Sequence, residues 1–439
     1  MKKIISALLF AGMIVASLTA CSSADSFSNK EYLSKDIERS TDTETTFNYT
    51  DGAVTAPLEY NSYSSEVSDF ELKLFRNYYK NNSDKKSFVF APANTTLTLG
   101  LLSNGAAKQS QTNIINTLGD ELTLNSTNQC SSYFQSRLKA FCSDGTGTDK
   151  DGDSTEKAYL KLNQTYFFND TVDIRNNFLT SNANYYGSDI FRFVFSDKNA
   201  ITKANSVLGE NAVSSLNESD NLLCISSSDI YDEWLSAYEM GSVSDGKFNS
   251  TSGEQTVKYM TSIENYIHTD KAQGIVKYMR NTPVKFVAIM PNEDISLDSY
   301  ISSLTYLEYS DLLDSFKITS LTKASIPEFS IKSDGTPKSF KSELEACGLA
   351  DMFTEDINLS NITLSDELFV NDISEIQPSI TVTSSGIGGS EAVKSTVSAN
   401  ALNSDTKTAD TSLEFNRPFI FMLIDNESNI PIYIGTVDF

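Results

Sequence analysis

The chain closes on two runs that are apolar almost throughout. Phe419 to Ile424 and Ile430 to Val437 flank Asp425-Asn426-Glu427 and read as a hairpin that completes a sheet. Directly ahead of it lies the opposite kind of sequence. From Ser379 to Glu414, 36 residues pass without a Phe, Tyr or Trp, although an aromatic content of 11% predicts about four. That stretch is built from Ser, Thr, Ala, Gly, Asn and Asp. Loops longer than about 12–15 residues are uncommon inside compact domains and usually carry function or stay unstructured. The fold must therefore tolerate a long segment just before its final strands, either as a loose insertion or as a segment held out for a partner.

The 439 residues suffice for a sizeable core, and 39% of them are apolar, too many for general disorder. The formal net charge of −24 repels phosphate backbones and excludes nucleic-acid binding. His268 is the only histidine, so Ser-His-Asp, Cys-His and multi-histidine metal chemistry would all have to pass through one side chain. It reads as an ordinary surface or strand residue.

The N-terminus carries an address. Lys2 and Lys3 precede an apolar stretch, Ile4 to Ala16, too short to span a membrane, which predicts a secretory signal over residues 1–20. Its end, Leu18-Thr19-Ala20-Cys21, resembles the lipobox of bacterial lipoproteins, which implies diacylation at Cys21 and a lipid anchor on the outer side of a bacterial membrane. Residues 21–64 are rich in Ser, Thr, Asp, Glu and Asn and are expected to form a solvated tether. Cys130, Cys142, Cys224 and Cys347 match no zinc spacing or dense disulfide scaffold, and buried free thiols are the favoured reading.

Within the remainder, Val67, Phe70, Leu74 and Tyr78 recur at helical spacing. Phe88 to Phe90 predicts a short strand, Pro92 to Leu118 a helical segment and Cys130 to Phe141 another. Ser143 to Glu156 reads as a loop, and Tyr159 to Phe168 and Val284 to Met290 as strands. Helices early and strands late argue for an α+β fold of antiparallel character. The sequence offers little catalytic chemistry. Asp149, Asp151 and Asp153 alternate as in a calcium loop, but Ser154 stands where Gly is needed and Leu160 where Glu is needed, so no metal site is expected. Gly386-Ile387-Gly388-Gly389-Ser390 lacks the pattern of a phosphate cradle and reads as a flexible hinge.

At this point a family resemblance emerges. Leu413-Glu414-Phe415-Asn416-Arg417-Pro418-Phe419-Ile420-Phe421-Met422-Leu423 resembles the serpin signature, with Gly435 in the usual final strand. Phe90-Ala91-Pro92-Ala93-Asn94, Gly105-Ala106-Ala107, Asn163, Tyr186-Gly187, Asn205, Trp234, Pro327 and Phe329 follow in the family's order. The resemblance implies a single serpin domain over 65–439, with three mostly antiparallel sheets and about eight to nine helices. It also implies a reactive loop at about 386–414, no cofactor and a monomer.

It further implies the activity. Gly389-Ser390-Glu391-Ala392, with Thr396 four residues on, is similar to the family hinge, although Ser384 to Gly388 reads as a small insertion before it. Serpins are suicide-substrate inhibitors of serine endopeptidases: the target protease cleaves the loop, is held as a covalent acyl-enzyme, and is trapped when the loop inserts into the main sheet. Counting fourteen residues from Gly389 places the cleaved bond at Asn403-Ser404, with Leu402 before it, inside a window from Ala399 to Lys407. Val397, Ala399, Ala401 and Leu402 suit an elastase-like protease, and Lys407 would suit a trypsin-like one. Parity puts Ser390, Ala392, Lys394 and Thr396 on one face, so Lys394 is expected to point into the core. That departure, and the absence of the family's core histidine, leave open a non-inhibitory surface lipoprotein that binds a ligand or partner.

Overall fold

The apolar spacing near residue 70 does form a helix. In the computed structural model, Val67, Phe70, Leu74 and Tyr78 of α1 (Tyr60–Asn81) are all at most 2% exposed. The structure describes residues 26–38, 55–82, 87–141, 146–148, 154–239, 241–316, 320–364, 368–389, 409 and 411–439, with backbone alone for 146–148 and 154–156. After β1 (Phe88–Phe90), helix α2 (Pro92–Gly105) starts with Pro92 in its first turn and is buried around its whole circumference.

The helical segment expected over 92–118 is two helices. Ala106 and Ala107 are extended, and the Ala106 carbonyl turns aside to accept Asn361 Nδ2 at 2.7 Å, so α3 (Lys108–Leu118) starts afresh. Helix α4 (Leu124–Ala140) begins six residues before the expected Cys130. Thr123 and Ser126 form a reciprocal cap there without the usual acidic or amide partner.

The chain continues through β2 (Thr146–Thr148), β3 (Ser154–Glu156), β4 (Tyr159–Asn169), α5 (Asn176–Ser181), β5 (Asp189–Phe193), α6 (Ala200–Leu208) and β6 (Leu222–Glu233). A hairpin of β7 (Val243–Ser250) and β8 (Gly253–His268) leads to β9 (Ala272–Tyr278), β10 (Val284–Pro291), α7 (Leu297–Ser303) and α8 (Tyr306–Asp314). Then come β11 (Leu321–Pro327), β12 (Phe329–Ile331), β13 (Pro337–Ser339), α9 (Lys341–Leu344), β14 (Asp372–Ile376), β15 (Ile380–Val382) and β16 (Gly386–Gly388). The last strands are β17 (Thr411–Glu414), β18 (Phe419–Asp425) and β19 (Pro431–Val437).

Two large sheets result, with β2 and β3 as a separate ribbon inside the stretch read as a loop. One sheet of nine strands runs β1-β19-β18-β10-β9-β8-β11-β17, with β7 beside β8; the expected C-terminal hairpin lies between β1 and β10. The other, the main sheet, runs β12-β15-β16-β6-β14-β13, with β4 beside β6 and β5 beside β4. One apolar core fills the space between the sheets and α1, α2 and α4. A second, smaller cluster lies between the opposite face of the main sheet and α6.

Part of the expected tether is folded onto this second cluster. Phe27 and Tyr32 each stack on Phe191 at 4.4 Å between ring centres, Leu33 N–H donates to the Ile190 carbonyl, and Glu31 pairs with Lys203 of α6. Aromatic residues in a polar stretch supply the burial that holds the backbone against the edge strand β5.

The C-terminal turn is anchored from α4. Arg137, 4% exposed, pairs with Asp425, 0% exposed, whose carboxylate also accepts Ser428 N–H at 2.8 Å and Ser428 Oγ at 2.6 Å. Arg137→Ala leaves that carboxylate buried without its cation and is expected to destabilise the domain by about 3–5 kcal/mol, read as a lowered midpoint in urea.

Candidate functional site at the open end of the main sheet

The main sheet is forked. Strand β6 pairs with β4 along one whole edge, from Leu222 to Tyr231. On its other edge, Leu223 to Ser227 pair in parallel with β14, and Asp232 and Glu233 pair antiparallel with β16. Among the described residues, Ser228 to Tyr231 have no strand on that second edge. A gap of four residues thus lies between two sheets' worth of paired backbone, below a short strand that already closes its upper end.

That short strand corrects the sequence reading of a flexible hinge at residues 386–388. The chain rises through β15, reverses over Ser384-Ser385 with Thr383 N–H donating to the Gly386 carbonyl at 3.0 Å, and returns as β16 between β15 and β6. Gly386 is required there: an added Cβ would lie 2.2 Å from the Asp232 carbonyl oxygen, a clash with backbone that nothing can relieve. Ile387 is 0% exposed and sits between Val382 and Asp232. The residues read as an insertion, 384–388, are therefore a turn and a strand. A Gly-Ile-Gly run after a Ser-Ser pair is a weak strand signal, because the glycines count against it.

The turn is held from below. Trp234, 1% exposed, donates its Nε1–H to the Thr383 carbonyl at 2.8 Å and its backbone N–H to the Ser385 carbonyl. Lys277 lies 5.5 Å from the Trp234 ring and 4.4 Å from the Tyr238 ring, fully buried and paired with Glu264. The end of β6 is fixed by Asp232, whose buried carboxylate accepts Thr282 N–H at 2.6 Å, Thr282 Oγ at 2.7 Å and Asn281 Nδ2 at 2.8 Å. Sequence reading singled out Trp234 alone of this group; the others come from separate strands and share no motif.

Lower in the sheet, Asn94 at the start of α2 donates to the Ser227 carbonyl at 3.1 Å and accepts Gln164 Nε2 at 2.7 Å. Glu375 of β14, 0% exposed, accepts the Ala91 N–H at 2.9 Å, and burial pushes its carboxyl up to about 8.

Of the residues read as hinge, Gly389 follows β16 directly and is half-buried. Ser390, Glu391, Ala392, Thr396, Leu402, Asn403, Ser404 and Lys407 lie outside the described residues, as do Cys21, Cys142 and the acidic run 149–153. The chain is described again in β17, which pairs in parallel with β11 of the other sheet and leads to the buried Phe415. The intervening segment is thus anchored at its start in one sheet and at its end in the other.

The other candidates carry no chemistry. His268 ends β8, exposed and stacked on Tyr266 at 5.2 Å. Cys130, Cys224 and Cys347 are free thiols, and burial pushes Cys130 up to about 12, far from a reactive thiolate. Among the described residues no group of three or more His, Cys, Asp or Glu is placed to hold a metal.

Comparison with known proteins agrees with this geometry. The family model described as "Serpin (serine protease inhibitor)" matches residues 65–438. Serpin A3-7 of Bos taurus is 23% identical over 396 residues, covering 87% of this chain and 89% of its own. The plasma serine protease inhibitor of Homo sapiens is 23% identical over 403 residues, covering 88% and 91%. The thermophilic serpin tengpin in its native state is 26% identical with a TM-score of 0.73, covering 90% of this chain and 100% of that one; in its latent state the TM-score is 0.67, covering 88% and 99%.

Proposed function

The chain belongs to the serpin (serine protease inhibitor) family, and from that premise we propose that it is a non-catalytic, suicide-substrate inhibitor of serine endopeptidases with an elastase-like preference. The observation that carries the reading is the fork in the main sheet, with the strand that starts to fill it running straight into the loop.

The chemistry belongs to the protease. Its serine Oγ attacks the carbonyl carbon of Asn403, the serine proton passes to the protease's own base, and the Asn403–Ser404 amide breaks with Ser404 leaving as the amine. An ester then joins Asn403 to the protease. Water would ordinarily hydrolyse that ester; here the freed N-terminal arm of the loop enters the fork first and carries the protease with it. In the register that Ile387 sets opposite Asp232, ten further residues reach Val397 opposite Leu222, the whole remaining length of β6. Asn403 lies six residues beyond. The side chains of Val397, Ala399, Ala401 and Leu402 support a target with a small apolar pocket, and Lys407 marks the alternative.

Lys2-Lys3, the apolar stretch and Leu18-Thr19-Ala20-Cys21 support export and lipid attachment at Cys21, which would place the inhibitor on a bacterial cell surface. Incubating the protein with elastase-like and trypsin-like proteases should give, with the former, a band at the summed mass that survives a denaturing gel. Clean cleavage with full protease activity remaining would exclude inhibition.

A further inference from the structure

The segment 26–38 is bonded to the domain along its length. Leu33 N–H donates to the Ile190 carbonyl, Arg192 N–H to the Glu31 carbonyl at 2.8 Å, and Ile190 N–H to Ser34 Oγ at 3.0 Å. The Tyr32 hydroxyl donates to Asp189, and Ser26 Oγ lies 2.5 Å from Ser206 Oγ of α6. Phe27, 7% exposed, packs on Phe191 and Phe193. Ring burial and backbone bonding together tie the segment to β5 and α6.

Only four residues, 22–25, then separate Cys21 from Ser26. Five peptide steps reach at most about 18 Å. We propose that the α6 face of the domain lies against the lipid bilayer, held there by the docked segment through this short connection. This rests on the lipid attachment proposed for Cys21 and specifies how the attached domain is oriented. Were the segment released, the next described residue would be Thr55, 33 residues beyond Cys21 and its neighbour Ser22 onwards. A flexible linker of that length averages about 30 Å end to end and imposes no orientation.

The surface at the docked segment suits a bilayer. Residues 26–38 and 194–210 carry four lysines and five carboxylates, close to balance in a chain of net charge −24. The repulsion that the rest of the protein meets at anionic headgroups is small here. Val194, just after β5, and Ile201, in the first turn of α6, are 41% and 37% exposed, with the exposed Lys198 between them in the chain. Apolar side chains interspersed with lysine are what a headgroup boundary accommodates. The β7–β8 hairpin, with the exposed Lys247, lies across the main core from this face.

The test is acylation of lysines in the lipidated full-length protein, bound to preformed vesicles of phosphatidylcholine and phosphatidylglycerol. The reagent is one that does not cross bilayers, and mass spectrometry reads each lysine. The rate at Lys198 relative to Lys247 should be about threefold lower in the wild type than in a variant with a Gly-Ser linker of about thirty residues inserted after Ser23. Phe27→Ser combined with Tyr32→Ser, which releases the segment, should raise the ratio in the same way. Equal ratios in the wild type and the linker variant, or a low ratio that survives release of the segment, overturn the proposal alone. Protein that carries no diacylglyceryl group on Cys21 overturns the lipid attachment and this proposal with it.

Discussion

Cleavage anywhere between Ala399 and Lys407 is expected to raise the midpoint of thermal unfolding by on the order of 10 °C. The inserted strand adds roughly ten ladder hydrogen bonds at about 1 kcal/mol net each, and a domain of this size changes by about 0.8 kcal/mol per degree near its midpoint. The intact form holds that free energy back only because the loop stays attached at both ends, in β16 and in β17. Under the proposed loop-insertion mechanism the native state is kinetically rather than thermodynamically favoured. Ser390→Arg should abolish the rise and leave a plain substrate, because an arginine in the hinge opposes insertion of the strand. Differential scanning calorimetry of intact and cleaved protein, at matched scan rates, reads wild type and variant, and an undiminished rise in Ser390→Arg would place the hinge elsewhere.

How much of this was legible in the sequence depended on how local the cause was. The spacing of Val67, Phe70, Leu74 and Tyr78 fixes a helix face by itself, and the apolar runs around Asp425 fix a hairpin. The loop's lack of aromatics also stood out unaided, and Trp234 stood out through the family resemblance. The break between α2 and α3 did not, because the carbonyl of Ala106 is claimed by Asn361, a residue far along the chain. The docking of Phe27 and Tyr32 on β5 was hidden by the polar residues around them. The strand at Gly386–Gly388 was the most consequential omission. Its glycines signal a hinge in isolation and a strand only when β6 is seen pressing against them.

Glu375 should make the main sheet's stability depend on pH over a range where most carboxylates no longer titrate. Its folded carboxyl is pushed up to about 8 by burial, opposed only by the Ala91 N–H, while an unfolded glutamate sits near 4.5. Tyr78 of α1 and Tyr433 of β19 face it from the neighbouring elements and add no cation. A raised folded value means that the folded state holds its proton longer than the unfolded one. The contribution is therefore most favourable below about pH 4.5, declines as pH rises towards 8, and is flat above that. The full swing is about 4–5 kcal/mol. Glu375→Gln keeps the shape without the ionisation, so it should match the wild type at pH 4.5 and unfold about 5 °C higher at pH 8.5. The site gives this a functional edge. Glu375 pairs with Ser226 in the part of β14 that an inserting loop must displace. Ionising it weakens that pairing, so spontaneous conversion of the intact protein to a heat-stable, loop-inserted form should accelerate between pH 7 and 9. In Glu375→Gln the rate should stay level across the same range, and an equal acceleration in both proteins would remove Glu375 as its cause.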